Sequence, residues 1–367
     1  MVVRGFRIHR LSVPMPRRYI SGIHDYRTTE NVLLELDTGD AVGRGWVFAF
    51  LPRQVDAIQT IVTDLAQTLV GTAVDNLRAT WAMLWARINF VGQSGLSVMA
   101  LGAIDTALWD LLAQQANMPL HRLLGAVRST VPMYGSGGWF TYSKEELLEE
   151  ALALRAQGVT HYKFKIGHSD PAIDIDRIEY VLAGVGDTVS VMVDANQVWT
   201  VEQAIAQGRV LESLGVSWYE EPVAVQDVAG SARVAEALDV LLATGETVFT
   251  RDGFMPLIER RAGDVMMPNV VRCGGPSQFM HVATLAESRH LPVSSHTYME
   301  ISAQLMAACP NAARVEYIPG WWDALFDGAP EVRDGMIHLS DRPGLGFAFS
   351  ERALHDFSLA PVVTGVT

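Results

Sequence analysis

From Val131 to Glu316 short apolar stretches alternate with amphipathic ones at a steady period, and this alternation constrains the fold more than any other feature of the chain. Strand ends fall near Ser136, Lys165, Asp194, Glu220, Glu246, Pro268, His296 and Glu316; from Asp194 onward they lie 26, 26, 22, 28 and 20 residues apart. Neighbouring parallel strands need a crossover of a dozen or more residues, usually a helix. Helical periodicity is present at Lys144–Ala156, Ile173–Leu182, Val201–Leu214 and Phe279–Arg289. Eight such units close into a TIM-like α/β barrel of the (β/α)8 type, whose usual size is about 250 residues.

The region before the barrel is organised differently. Val3, Phe6, Ile8, Leu11 and Val13 read as a strand that Pro14 and Pro16 break, followed by a polar loop from Arg17 to Glu30. Val32–Leu36, a turn at Asp37-Thr38-Gly39-Asp40 and Ala41–Gly43 form a hairpin, leading into Trp46–Phe50. From Gln54 to Leu124 the period is helical. Strands first and helices after predict an α+β domain over residues 1–128, the barrel over 129–336, and a tail over 337–367 that returns to the first domain.

Composition excludes several function classes. With 49% hydrophobic and 19% charged residues and a net charge of −13, the 367-residue chain is well buried and offers no basic surface to nucleic acid. No apolar run of membrane-span length stands out, so no membrane partner is expected, and Met1–Ser12 lacks the continuous apolar segment of a signal peptide. Cys273 and Cys309 are isolated, which suits a reducing cytoplasm.

The residues at the strand ends carry the chemistry. On a strand Lys163 and Lys165 point the same way, and two ammonium groups side by side lower the pKa of one of them, which favours a neutral amine that is a base or nucleophile. Each remaining residue has a bland reading taken alone: Asp194 as a helix cap, Glu220 as a solvated corner, Glu246 as a capping carboxylate, His296 as a core histidine. Together, three carboxylates on consecutive strands repel one another unless a cation lies between them. Three oxygen ligands with open positions suit Mg²⁺. Such an ion and a lysine would hold a substrate carboxylate while a base removes the proton from the adjacent carbon, leaving an enediolate.

Along essentially its full length the chain resembles the enolase superfamily, mandelate racemase subgroup. The resemblance rests on Lys163-Phe164-Lys165-Ile166-Gly167, Val193-Asp194-Ala195-Asn196-Gln197, Glu220-Glu221-Pro222, Gly245-Glu246, Ser294-Ser295-His296 and Glu300-Ile301-Ser302-Ala303. It implies Asp194, Glu220 and Glu246 as Mg²⁺ ligands and Lys165 as the base on one face of the substrate. It also implies Lys163 and a protonated Glu316 as holders of the substrate carboxylate, and His296 as base or acid on the other face. The α+β domain becomes a capping domain whose loop from Tyr19 to Tyr26, with Phe48 and Phe50, closes the barrel mouth. Ser136 and Asn196 are further candidates for substrate contact, the substrate being a small carboxylic acid. Capped barrels of this kind often assemble, so a homo-oligomer is expected.

One residue departs from the pattern. Where the family pairs its histidine with an aspartate, this chain has Asn269, which can accept a hydrogen bond from the imidazole but brings no negative charge. Two reactions follow from the same first step. The segments Phe48-Ala49-Phe50 and His296-Thr297-Tyr298 resemble the racemases of the subgroup and make a 2-hydroxy acid racemase or epimerase the first expectation. Asn269 and the polar groups Arg17, Arg18, His24, Asp25 and Arg27 support the alternative, an acid-sugar dehydratase. A Schiff-base aldolase would leave the three carboxylates without a purpose. A silent ligand-binding barrel would leave both lysines and the metal ligands without one.

Overall fold

The computed structural model describes residues 1–366. In the first domain β1 (Gly5–Ile20), β2 (Asp25–Asp37) and β3 (Val42–Ala49) form an antiparallel sheet, followed by α1 (Pro52–Leu69), α2 (Leu77–Arg87), α3 (Leu96–Gln115) and the single turn α4 (Leu120–Leu123). β1 runs through both prolines expected to break it. Its pairing with β2 is continuous up to Pro14↔Thr28, shifts, and resumes at Tyr19↔Tyr26. The prolines sit at this irregularity, where a missing N–H removes no ladder bond. The expected long polar loop therefore shrinks to residues 21–24 at the tip of a tall hairpin.

Eight parallel strands then close on themselves: β4 (Thr130–Gly137), β5 (His161–Lys165), β6 (Ser190–Asp194), β7 (Trp218–Glu220), β8 (Leu241–Thr244), β9 (Val265–Met266), β10 (Val293–Ser295) and β11 (Ala312–Tyr317), with β11 pairing back to β4. They are linked by α5 (Lys144–Ala156), α6 (Pro171–Val185), α7 (Val201–Leu214), α8 (Val228–Ala237), α9 (Thr250–Glu259), α10 (Pro276–Glu287) and α11 (Met299–Ala308). Ser143 and Thr200 start α5 and α7 with reciprocal capping boxes, which satisfy otherwise orphaned helix N–H groups. Lys165, Asp194 and Glu220 are the last residues of their strands, whereas Glu246, Pro268 and His296 lie just beyond theirs. After the barrel come β12 (Phe326–Asp327), β13 (Glu331–Arg333), β14 (Met336–His338), β15 (Ala348–Phe349), α12 (Glu351–Asp356) and β16 (Val363–Val366). β14 pairs with barrel strand β4, and β16 completes the first sheet beside β1.

The two domains share α3. A Cβ on Gly45 would lie 2.0 Å from the Ala103 carbonyl, and one on Gly102 would lie 2.5 Å from the Val271 carbonyl. The helix is thus pressed by the cap sheet on one side and the barrel on the other. A helix buried on all sides must be apolar all round. That is why its 20 residues are long and apolar enough to cross a membrane, contrary to the expectation from sequence, while 78% of its most apolar window is buried inside the protein.

Asp105 of α3 latches the domains. Its carboxylate accepts from the backbone N–H and the hydroxyl of Ser277 at the start of α10, each at 2.8 Å, and the Trp109 indole donates to the same hydroxyl at 2.9 Å. Burial pushes the Asp105 carboxyl up to about 7 against these hydrogen bonds. The unfolded chain releases this proton near pH ~3.9, so the folded state retains it where the unfolded state does not. This contribution to stability is complete below that value and is lost as pH rises through about 7. Asp105→Asn removes the dependence, so its stability relative to the parent should improve from pH 5 to about 7 and level off above it, read from urea midpoints across pH 5 to 8.

Candidate active site

Strands β5, β6 and β7 are paired so that Lys165, Asp194 and Glu220 lie side by side. Lys165 Nζ bonds Asp194, and Lys163 Nζ bonds Glu220 and reaches Glu316 at 3.0 Å and the Tyr134 hydroxyl at 3.4 Å. The Trp218 indole donates to the second oxygen of Glu220 at 2.9 Å. Glu246 follows Gly245, whose φ of +120° belongs to glycine and turns the chain end into the barrel mouth. Asn196, Gln197, Thr297 and Tyr298 all have positive φ, a concentration of constrained backbone just past β6 and β10 that aims side chains across the mouth.

The carboxylates of Asp194, Glu220 and Glu246 are buried and offer oxygens within 4.8 Å of one another. Burial, joined by the charges of Asp194, Glu246 and Glu316, pushes Glu220 far up against the pull of Lys163, and burial with the charge of Glu246 pushes the neighbouring Glu221 up to about 8. Glu246 Oε2 is a buried carboxylate oxygen with no hydrogen-bond partner; His296 Nε2 lies 3.0 Å away without aligning its N–H on it. A crowded set of hard oxygen donors with an unmatched oxygen fits Mg²⁺.

The carboxylates of the site act against two expectations about charge. Burial and Lys163 do lower the Lys165 amine, but Asp194, Glu246 and Glu220 together outweigh them, so its pKa is raised. Glu316, expected as a protonated donor, is instead held low, at about 2: burial would raise it, but the positive charge around it, foremost that of Lys163 3.0 Å away, outweighs burial.

The opposite wall holds a third correction. Asn269 Oδ1 accepts from the backbone N–H groups of Val271 at 3.1 Å and Arg272 at 3.0 Å, which fixes the orientation of the amide. Its NH₂ therefore faces His296 Nδ1 at 2.9 Å and donates to it, instead of the carbonyl accepting from the ring. A ring nitrogen that accepts carries no proton, so the neutral imidazole bears its proton on Nε2, the nitrogen facing Glu246 and the cavity.

The cavity above these groups is lined from the barrel by Ser136, Lys165, Asn196, Glu246, His296 and Glu316, and from the cap by His24, Tyr26, Phe48 and Phe50. Tyr26 and Phe50 stack with centroids 3.4 Å apart, and the Tyr298 hydroxyl bonds the Phe48 backbone N–H at 3.1 Å, tying cap to barrel. Two expected contacts fall outside the lining. Tyr19 is buried against Trp139, Tyr142 and Trp321, because its strand continues where a loop was expected. Lys163 lies beneath the floor, enclosed by its carboxylate partners. Trp139, Arg272, Thr297 and Ile318 line the cavity without having been singled out for it, and Trp321, just after the last barrel strand, lines it too. Arg272, three residues past Asn269, could have been found by following the turn after β9 as closely as the strand end itself.

Comparison with known proteins matches this architecture in both domains. Residues 9–125 match the family described as mandelate racemase / muconate lactonizing enzyme, N-terminal domain, and residues 146–353 match enolase C-terminal domain-like. The chain belongs to the enolase superfamily, in its mandelate racemase/muconate lactonizing enzyme subgroup. It is 37% identical to L-talarate/galactarate dehydratase of Salmonella typhimurium LT2 over 292 residues, 79% of this chain and 73% of that one. It is 31% identical to arabinonate dehydratase of Saccharolobus solfataricus, over 89% of this chain and 90% of the relative. The crystal structure of the Salmonella dehydratase with Mg and L-lyxarohydroxamate superimposes with a TM-score of 0.94 at 31% identity, covering 100% of this chain and 94% of that one. Dehydratases predominate over epimerases among such relatives.

This superfamily member is therefore a Mg²⁺-dependent enzyme of the enediolate-forming type, with its cofactor site at the buried Asp194–Glu220–Glu246 cluster. Glu220→Gln and Glu246→Gln should weaken Mg²⁺ binding by more than the roughly 10- to 100-fold typical of losing an outer-shell partner, measured by calorimetry. On the other wall, Asn269→Asp sets a carboxylate oxygen against Nδ1. Histidine ¹⁵N spectra should then show the His296 proton on Nε2 in the parent and on Nδ1 in the variant.

Proposed function

We propose that this protein is an acid-sugar dehydratase, a lyase that converts a 2,3-dihydroxy carboxylate into a 2-keto acid and water. The observation that carries this reading is the orientation of Asn269. A two-base racemase needs a histidine that accepts a proton on alternate turnovers, which requires a lone pair on the nitrogen facing the substrate. The Asn269 NH₂ occupies Nδ1, so Nε2 of the neutral ring offers a proton instead. A donor at that place suits a departing hydroxyl. The order of the two readings reached from sequence is thus reversed, and the many dehydratases among the relatives favour the same order.

In this reading Lys165 takes the α-proton. When bound, Mg²⁺ supplies positive charge against the substrate carboxylate as the α-carbon becomes electron-rich. Neutralising Asp194, Glu220 and Glu246 also removes the influence that raises Lys165, leaving burial and Lys163, which both favour the free amine. Lys163, buried beneath the floor between Glu220 and Glu316, adds positive charge under the carboxylate end. His296 Nε2–H faces the β-hydroxyl. The C–H bond at the α-carbon breaks with its proton passing to Lys165, and the C–O bond at the β-carbon breaks while Nε2–H hydrogen-bonds the departing hydroxide. That hydroxide leaves as water with the proton Lys165 took, and the resulting enol tautomerises to the 2-keto acid. Asn196 Oδ1, buried on the cavity wall without a partner, suits a substrate hydroxyl, as a polyol chain would provide.

Incubation of the Mg²⁺-loaded enzyme with a panel of sugar acids and aryl or alkyl 2-hydroxy acids in D₂O tests the proposal. A 2-keto acid should form from a sugar acid, trapped as its semicarbazone, and α-deuterated epimer should not accumulate. Epimer without keto product would restore the racemase. Lys165→Ala should reduce turnover by about 10²- to 10⁴-fold, the contribution of a positioned general base, while Mg²⁺ binding persists.

A further inference from the structure

The reaction proposed above assigns no task to Arg272. Its backbone N–H donates to Asn269, and its guanidinium spends a single hydrogen bond within the protein, from Nη1 to the Glu246 carbonyl at 3.1 Å. Among the described residues the one carboxylate oxygen within 4.0 Å is Glu246 Oε1, at that limit and not hydrogen-bonded. Nε and Nη2 are left without a partner although the side chain is only 26% exposed. A planar fork of N–H donors, half-buried and mostly unspent, is the group best matched to a carboxylate.

Its position gives that fork an address. Arg272 lies in the wall shared by the catalytic cavity and an outer chamber of about 520 Å³, together with His24, Tyr26, Phe48 and Phe50. An extended substrate whose reacting end is held near Lys165 would run past Arg272 into this chamber. The other basic side chain at the junction, His24, is pushed down to about 4 by burial and by the charge of Lys165, and its Nδ1 meets the Ser21 hydroxyl at 3.0 Å. At neutral pH it is uncharged and suited to a hydroxyl. Arg18, close by on the hairpin, is already paired with Asp25. Of these three basic groups, Arg272 alone brings a positive charge to the junction that is not committed to a protein carboxylate.

We propose that Arg272 binds a second carboxylate at the far end of the substrate, so that the enzyme takes dicarboxylic sugar acids in preference to monocarboxylic ones of the same length. This rests on the dehydratase reading for the reacting end, but the far end can be tested without any reaction. With the Mg²⁺-loaded enzyme, calorimetry would compare adipate with 6-hydroxyhexanoate, two unreactive six-carbon chains that differ in one terminal carboxylate. Adipate should bind about 10- to 100-fold more tightly, the range expected of a charge-assisted hydrogen-bond pair. In Arg272→Gln the preference should fall to within about twofold, and Arg272→Lys, which keeps the charge without the fork, should fall between. Equal binding of the two by the parent would overturn the proposal. So would an Arg272→Gln variant that weakens both ligands and Mg²⁺ alike, since Arg272 would then only offset Glu246. These outcomes stand whether or not keto acid is formed. Where it is formed, the ratio of kcat/KM for a hexaric acid over the matching hexonic acid should collapse in Arg272→Gln through KM, and an unchanged ratio would count against the assignment.

Discussion

Five buried charges at the mouth of the barrel govern the rest of the site. Lys163, Lys165, Asp194, Glu220 and Glu316 are all nearly inaccessible to water, and they interlock across three adjacent strands and one more distant strand. An isolated buried charge is costly enough to neutralise itself or unfold its surroundings. The pairing of each lysine with carboxylates is therefore what permits a polar centre inside an apolar barrel. With Glu246 added, the carboxylates around the cofactor site outnumber the ammonium groups, and a divalent cation completes the balance. In the proposed reaction, neutralising these carboxylates would remove what raises Lys165 and so link cofactor binding to its basicity.

The scaffold holds this centre by close backbone approach rather than by further polar contacts. Gly45 and Gly102 let the cap sheet and the barrel press on opposite sides of α3, and Asp105 joins that helix to the start of α10. The return of β16 to the first sheet ties the end of the chain to its beginning. The cap residues Tyr26, Phe48 and Phe50 sit on a paired hairpin and at a strand end instead of on a long loop. A cavity built this way can discriminate by shape at the cap and by charge at the barrel, with Arg272 where the two meet.

Asn269 shows how one atom redirects a site. An aspartate there would present only acceptors to the ring. The amide has one acceptor and one donor, and which faces His296 depends on what else needs the acceptor. The turn after β9 brings two backbone N–H groups to Oδ1, so the NH₂ faces the ring.

The barrel, the cap and the metal cluster were legible in the chain because periodicity and strand-end chemistry are local properties. Alternation with period two put Lys163 and Lys165 on one face, and regular spacing brought Asp194, Glu220, Glu246, His296 and Glu316 to one end. The prolines of β1 misled because a strand irregularity can absorb a missing N–H, and Tyr19 went into the core as a result. The apolar run of α3 could not reveal that it packs on both sides. Protonation was beyond sequence altogether: the states of Lys165 and Glu316 are sums over charges brought close only by folding, and the Asn269 amide was turned by two N–H groups of its own turn. The sequence by itself determined which groups stand at the barrel mouth, since residue type and spacing are written along the chain. Only the tertiary structure decided which charges and hydrogen-bond partners each of them meets, because that depends on distances of a few ångströms between strands far apart in the chain.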